Sequence, residues 1–531
     1  MTQLFAPPKP FKLIAPYGDN LMTPKDTEVA YWSALGAGAD GIALGVRLTK
    51  DNVVVCTGED TLKTTCDDPR AVSDVTWDEL QTLDAGVTFQ STLLDANYQP
   101  TGEKGADKPW TGNLAKKAAI RILRLEDVMR LFSRRTNLFM VLPQSPHENM
   151  QKLIDETMKV LSQYGMQHRV LWLGMKDECA YLRKQDPRSL LSMVADNKQQ
   201  ALVNIDNAAS MSAQALCINI EDISYRSGNP LVFDQAVIEA LGDTDLSLHL
   251  SSAAMPFCLT PEYYQLAAEH SACIDALLIK GALAAMEVAL TPALIACDTF
   301  SGKTINRDLW SAGYSHINQD TLIEQNDGIR IHIKGEEGGQ YSGAGVVSVF
   351  PIHGDFDARV CFHVANPHQG TTFEMAAISV DAGYHHIDNT DLNTRNVNLC
   401  FDVHGAPPYA SSERDEDDGF RCGWNNGFTL TRILEDWQAA SVNMYNKYGR
   451  DVGNGAKDNP SGELRLVRHG PVFNTYYRDK YNPAWVCSGS VLVPNLSEDV
   501  HIRLAAKHWA KGGITPPAND VTFTNFELYQ Y

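Results

Sequence analysis

The sequence has no apolar run near the ~20 residues that a membrane-spanning helix needs, so no membrane insertion is expected. It is poor in positive charge: 45 Lys and Arg face 65 Asp and Glu, for a net charge of −20. Phosphate polyanions are repelled by such a surface, which excludes nucleic acid as an expected partner; the charge reads as a solubility feature. The eleven cysteines include no CxxC and no paired spacing. They read as reduced, mostly buried thiols, with no disulfide framework, zinc site, other metal or cofactor implied. The opening "MTQLFAPPKPFKLIAPYG" has neither the basic stretch nor the long apolar stretch of a secretory signal. The expectation is a chain made in the cytoplasm, with assembly into a virus particle or release by another route left open. Repeats and low-complexity tracts are missing too.

What is present is a change of rhythm near the middle. The first ~290 residues alternate short apolar runs with amphipathic segments, in the manner of strand–helix units. The runs are "FKLIAPY", "GIALGVRL", "NLFMVLP", "RVLWLGM", "SLLSMVA", "ALCINIE", "LSLHLSS" and "IDALLIK". Eight such units predict a (β/α)8 barrel, that is, a TIM barrel of the α/β class. Residues 87–118 break the rhythm with polar, Gly-rich sequence and are expected to be a loop insertion. From Cys297 onward helical periodicity nearly vanishes, and alternating runs such as "GIRIHIKG", "FDARVCFHVA", "ELRLVRHG" and "VTFTNFELYQY" predict an all-β antiparallel sandwich of jelly-roll type. The expected domains are residues 1–294 and 295–531, with a long loop region at 402–461.

The barrel half carries an ordered series of motifs. Ala15-Pro16-Tyr17-Gly18 is followed by Pro24-Lys25-Asp26-Thr27, then by "GADGIALGVRLTKD" from Gly38 to Asp51. Next come Gly58-Glu59-Asp60-Thr61-Leu62-Lys63-Thr64-Thr65, and then Thr76, Glu79, Leu80, Leu83, Asp84, Ala85 and Gly86. This frame resembles the glycerophosphodiester phosphodiesterase family, whose corresponding motifs are AHRG, PENT, GADxIExDVxxTxD, HDxTLxRTT and TxxELxxLDAG. The resemblance runs over most of residues 11–285 and is densest in the first 90.

The resemblance implies a divalent metal held by carboxylates, a histidine pair for acid–base and nucleophilic work, and cationic groups that neutralise phosphate. At those positions this chain departs from the family. The histidine positions hold Pro16 and Gly58, and the carboxylate positions hold Ala43, Gly45 and Met140. The arginine and lysine positions hold Tyr17 and Leu142. No hard-cation site is left and no catalytic residue is assigned; metal-dependent hydrolysis is not expected. Two readings follow. Either the barrel is a scaffold whose old cleft is filled, or its mouth is rebuilt for another ligand with Tyr17, Asp19, Glu59, Gln144, Asp222 and His249 as contacts. In the second, Glu59 with Asp19 or Asp222 would be the carboxylate pair of a glycosidase.

The β-rich half resembles the concanavalin-A-like lectin and glucanase superfamily in strand pattern, without the glucanases' ExDxE run. In its long loop region Trp424, Asn425, Asn426, Trp437, Tyr445 and Tyr448 are a mixture suited to a sugar, since aromatic faces stack on C–H surfaces while amides bond hydroxyls. The plainer reading is that these aromatics pack the loop itself. The acidic "ERDEDDG" reads as a solvated turn. The leading expectation is a catalytically inactive barrel joined to a lectin-like sandwich. It would serve as a glycan-binding or structural component at a surface, such as a phage tail protein, partnered by a cell-surface polysaccharide or other structural subunits. The alternative is a glycan-acting hydrolase or lyase using the barrel mouth or the sandwich cleft.

Overall fold

A computed structural model of the chain describes residues 10–89, 92–95, 100–104, 120–142, 149–227, 231–251, 259–279, 281–289, 292–310, 314–316, 322–335, 341–365, 372–381, 420–424, 428–432, 461–480, 483–492, 499–510, 515 and 518–531. Each of the eight apolar runs of the first half forms a strand: β1 (Lys12–Pro16), β2 (Gly41–Leu48), β3 (Asn137–Val141), β4 (Val170–Gly174), β5 (Leu190–Ala195), β6 (Ala215–Asn219), β7 (Ser247–Ser251) and β8 (Ile274–Leu278). They pair in parallel in chain order, and β1 bonds to both β2 and β8, which closes the TIM barrel. The strands are apolar on both faces because both faces are covered. Ile14, Ala43, Phe139, Leu173, Cys217, Ala276 and Leu278 fill the inside. Leu13, Ile42, Leu44, Leu138, Met140 and Trp172 pack outward against the helices.

Local chemistry sets the connections. The Thr-x-x-Glu of the family frame is a capping box: the Thr76 hydroxyl accepts from the Glu79 N–H while the Glu79 carboxylate accepts from the Thr76 N–H. Thr27 caps the first helix, α1 (Glu28–Gly36), by accepting from the Ala30 N–H. Helix α1 is buried from Val29 to Gly36, all the way round. An ordinary outer helix of a barrel has one wet face, so something else covers this one.

The cover is the second half of the chain. Among the described residues it is made almost wholly of strands, in two antiparallel sheets. One runs in the order Leu322–Gln325, Ile329–Ile333, Asn519–Gln530, Phe356–Val364, Ser461–His469, Val472–Arg478, Val486–Leu492. The other runs Tyr314–His316, Tyr341–Val347, Asp499–Ala510, Thr372–Asp381, Phe420–Trp424, Phe428–Arg432. Val360, Leu464 and Phe523 of the first share a core with Val346, Ile378 and Leu504 of the second. The outward face of the first sheet carries Val467, Tyr476, Trp485 and Cys487 into the barrel's own outer core. Asn474 donates to the Ser33 carbonyl of α1 (2.8 Å) and to the Tyr476 hydroxyl (2.6 Å). Arg465 joins Asp357, on the neighbouring strand, to Glu287 of the barrel's last helix, Ala282–Ala289 (2.8 and 2.5 Å). Large buried side chains contribute about 1.5–3 kcal/mol each, and these bonds cross-link the seam. Among the described residues no helix is long and apolar enough to cross a membrane.

Candidate functional site

Barrel chemistry belongs at the C-terminal ends of the strands, and there the first two strands and the loop after β2 meet. Tyr17 leaves β1 in the left-handed region (φ 61°), and its N–H donates to the Ala43 carbonyl (2.8 Å). Asp26, also left-handed (φ 60°), donates its N–H to the Tyr17 carbonyl (3.0 Å) and accepts at Oδ2 from the Gly58 N–H (3.0 Å). Two strained residues held by each other and by the next loop make a fixed corner.

The corner is filled from within. A Cβ placed on Gly58 would lie 2.6 Å from Tyr17 Cε1 and 2.8 Å from Cζ, so the tyrosine ring occupies the space a side chain at 58 would take. A Cβ on Gly45 would lie 2.6 Å from both the Gly58 Cα and the Thr57 carbonyl oxygen. The three positions therefore fit one inside the next: Tyr17 rests on Gly58, and the backbone at 57–58 rests on Gly45. A histidine at 58 fits only if the Tyr17 ring moves, and an aspartate at 45 only if the backbone at 57–58 moves. Around this plug Arg47 donates to the Gly58 carbonyl (3.2 Å) and pairs with Asp60 (2.5 Å), while Lys25 pairs with Glu59. Burial, reinforced by Asp26 and Glu59, pushes the Tyr17 hydroxyl up to about 12. Burial also pushes the Asp26 carboxyl up to about 7 against its bond from Gly58.

Two of the positions named from the sequence move by one residue. In the strand register Ala43 lies beside Phe139 and Gly45 beside Val141, whereas Met140 lies beside Leu44 and packs outward on the helices. The inward places next to Ala43 and Gly45 thus belong to Phe139 and Val141, not to Met140 and Leu142. A strand's two-residue period makes a one-residue slip a change of face. The set facing inward at this side, Pro16, Ala43, Gly45, Phe139 and Val141, offers no metal ligand. The divalent metal that the family implies does not fit these residues.

Of the rebuilt-mouth residues, Tyr17 and Glu59 meet at this corner, whereas Asp19 and His249 lie elsewhere. Asp19 is fully buried, accepting from the Ser33 hydroxyl (3.0 Å) and the Ala282 N–H (3.1 Å), with burial raising its carboxyl to about 6. It anchors the β1 loop to two helices and does not line an opening. His249 lies inside the barrel, its Nε2 3.4 Å from Asp275, which also pairs with Lys12 at the start of β1. That is the N-terminal end of the barrel, opposite the mouth. Glu59 is held by Lys25, and Asp222 is exposed and bonded by Asn219 (3.2 Å). A glycosidase pair of Glu59 with Asp19 is ruled out by the sealing of Asp19. Gln144 lies outside the described residues, as do Asn425, Asn426, Trp437, Tyr445 and Tyr448; Trp424 ends the strand Phe420–Trp424. Sequence reasoning missed Asp26 and the interlock. The signal was there: a bulky Tyr17 accompanies glycines at two positions where the family has larger residues.

Comparison with known proteins agrees with this frame. The model of the glycerophosphoryl diester phosphodiesterase family matches residues 18–248. A glycerophosphodiester phosphodiesterase of Caldanaerobacter subterraneus subsp. tengcongensis is 40% identical over 77 residues, which are 14% of this chain and 32% of that protein. One from Bacillus altitudinis is 32% identical over 130 residues, 24% of this chain and 43% of that protein. The chain thus spans 32% and 43% of the length of these curated relatives. The crystal structure of a glycerophosphodiester phosphodiesterase from Agrobacterium tumefaciens aligns with a TM-score of 0.37 at 19% identity, over 52% of this chain and all of that one. The closed parallel barrel and the match over residues 18–248 make this part of the chain similar to the glycerophosphoryl diester phosphodiesterase family.

Proposed function

We propose that this barrel no longer hydrolyses phosphodiesters and serves as a rigid frame for the β-rich half, which we read as a lectin-like jelly roll. On this reading the chain is a glycan-binding or structural component at a surface, for instance in a virus particle. The family and the names of its relatives point to a phosphodiesterase frame. One observation carries the departure from that activity: Tyr17, Gly58 and Gly45 fill one another at the positions where the family's histidine, aspartate and arginine are expected. Substitution alone would leave the place of each lost side chain empty, whereas here the Tyr17 ring stands where a side chain at 58 would project and the 57–58 backbone stands where one at 45 would. The seam supports the frame role, since Asn474, Arg465 and Trp485 tie the two halves together. The test is to incubate the purified chain with glycerophosphocholine and with glycerophosphoethanolamine, adding calcium or magnesium, and to assay sn-glycerol-3-phosphate enzymatically. No release above the protein-free control is expected. Turnover on the ordinary enzyme scale of about 1 s⁻¹ or more would overturn the proposal.

A further inference from the structure

The outward face of the sheet that docks on the barrel has two halves. Asp357, Arg359, Arg465 and Tyr476 occupy the docked half, and the same alternation carries Cys361, His363, Ser461, Glu463 and Arg478 onto the other half. Among the described residues this other half forms an open groove of about 520 Å³, whose walls include Cys361, Ser461, Glu463, Arg478, Asp479 and Lys480.

The polar groups of the groove are held in place. The Arg478 guanidinium lies 4.6 Å over the ring of the buried Trp485, and its Nη2 donates to Glu463 Oε2 (2.7 Å). His363 Nδ1 and the Ser461 hydroxyl are bonded at 2.6 Å on the facing strand pair. Arginine, lysine, glutamate and aspartate in equal numbers give the lining no net charge, and the whole chain carries −20. An anionic ligand therefore gains no favourable field here. What the groove offers is fixed donors beside fixed acceptors. A sugar hydroxyl both donates and accepts, so it can bond a carboxylate and a guanidinium at once. We propose that this groove binds a neutral saccharide, one or two residues of a glycan, through its hydroxyls; the inference rests on the binding role proposed above and moves it away from the loop aromatics.

The experiment is calorimetric titration of the full chain with maltotriose, cellotriose and N-acetylchitotriose, with trigalacturonate as the anionic counterpart. At least one neutral trisaccharide is expected to bind, weakened about tenfold by Glu463→Gln and by Arg478→Lys, the loss of one charge-assisted bond. Thermal melts establish that both variants are folded, and Trp424→Ala is expected to leave binding unchanged. Heat from trigalacturonate alone, or from no trisaccharide, overturns the groove. Binding that ignores Glu463→Gln and Arg478→Lys but is lost with Trp424→Ala also overturns it, while leaving a glycan-binding role standing. Conversely, groove-dependent binding in a chain that also releases sn-glycerol-3-phosphate keeps the groove and removes the inactive frame.

Discussion

The interlock at the barrel mouth makes a quantitative demand on a double-mutant cycle. Gly58→Ala places a methyl 2.6 Å from the Tyr17 ring, a distance real Cβ atoms essentially never show, so ring or loop must shift. Overpacking of this kind costs about 1–3 kcal/mol. Tyr17→Ala removes a half-buried ring and leaves a gap over Gly58, at a cost of about 2–3 kcal/mol, because the surroundings relax only in part. In the double variant the methyl enters the space the ring has left. The combined cost then falls short of the sum of the two by about 1–2 kcal/mol, within the usual range for contacting residues. Urea melts of the four proteins measure this directly, with unchanged m-values as the check that the unfolded state is the same. Strict additivity would refute the claim that Tyr17 occupies the place of the side chain at 58. It would also remove the main reason for reading the mouth as plugged.

Three further outcomes follow from the same structure. Asp26, with its carboxyl raised from an ordinary 3.8 to about 7, penalises the folded state when ionised, so stability falls as pH rises from about 4 to about 7 and is flat above. The penalty is about 4 kcal/mol at pH 8, and Asp26→Asn should reduce this pH slope to the share that Asp19, raised to about 6, contributes between about pH 4 and 6, and stabilise the chain at pH 8 in chemical denaturation; an unchanged slope would assign it elsewhere. Asn474→Ala removes one bond to the Ser33 carbonyl, which keeps the Ala37 N–H, and one to the Tyr476 hydroxyl; the loss of these two bonds at the seam should cost about 1–3 kcal/mol with the barrel and sandwich still melting as one transition. Thr76→Ala removes half of a capping box and should cost about 1 kcal/mol by the same assay.

The barrel strands were legible because each is a short run apolar on both faces, bounded by polar helical sequence. Even the Thr76–Glu79 cap is written in the spacing. The face of the third strand was not legible: in "NLFMVL" every residue is apolar, so no alternation tells Phe139 from Met140, and only the bond register with β2 decides. The seam was hidden for a related reason. "EVAYWSALG" reads as an amphipathic outer helix until a second layer is known to cover it, although its lack of a polar face is itself a sign of such a cover. Asp26 differs from the family's asparagine by one atom, and nothing local signals that it is sealed. The neighbours that bury it, Tyr17 and the 57–58 loop, lie up to 32 residues away.

Mouth and seam are joined by one segment. The chain from Pro16 to Thr27 carries Tyr17 and Asp26 at the plug, then Asp19, which accepts from the Ser33 hydroxyl of α1. That hydroxyl lies 3.8 Å from the Cys487 sulfur of the sandwich, and the carbonyl of the same serine takes the bond from Asn474. In a working barrel enzyme the loops at the strand ends admit and release substrate, and such loops are drawn from the less stable parts of the fold. A loop fixed at one end by a ring that fills its neighbour, and at the other by a buried carboxylate and a docked domain, has lost that freedom. The residues at 17, 45 and 58 and the contacts that hold the β-rich half therefore act in the same direction on this loop. If the seam is loosened by Asn474→Ala, amide exchange should quicken in residues 17–33 as well as in the docked strands. Exchange confined to the sandwich side would show that plug and seam are independent features of the barrel.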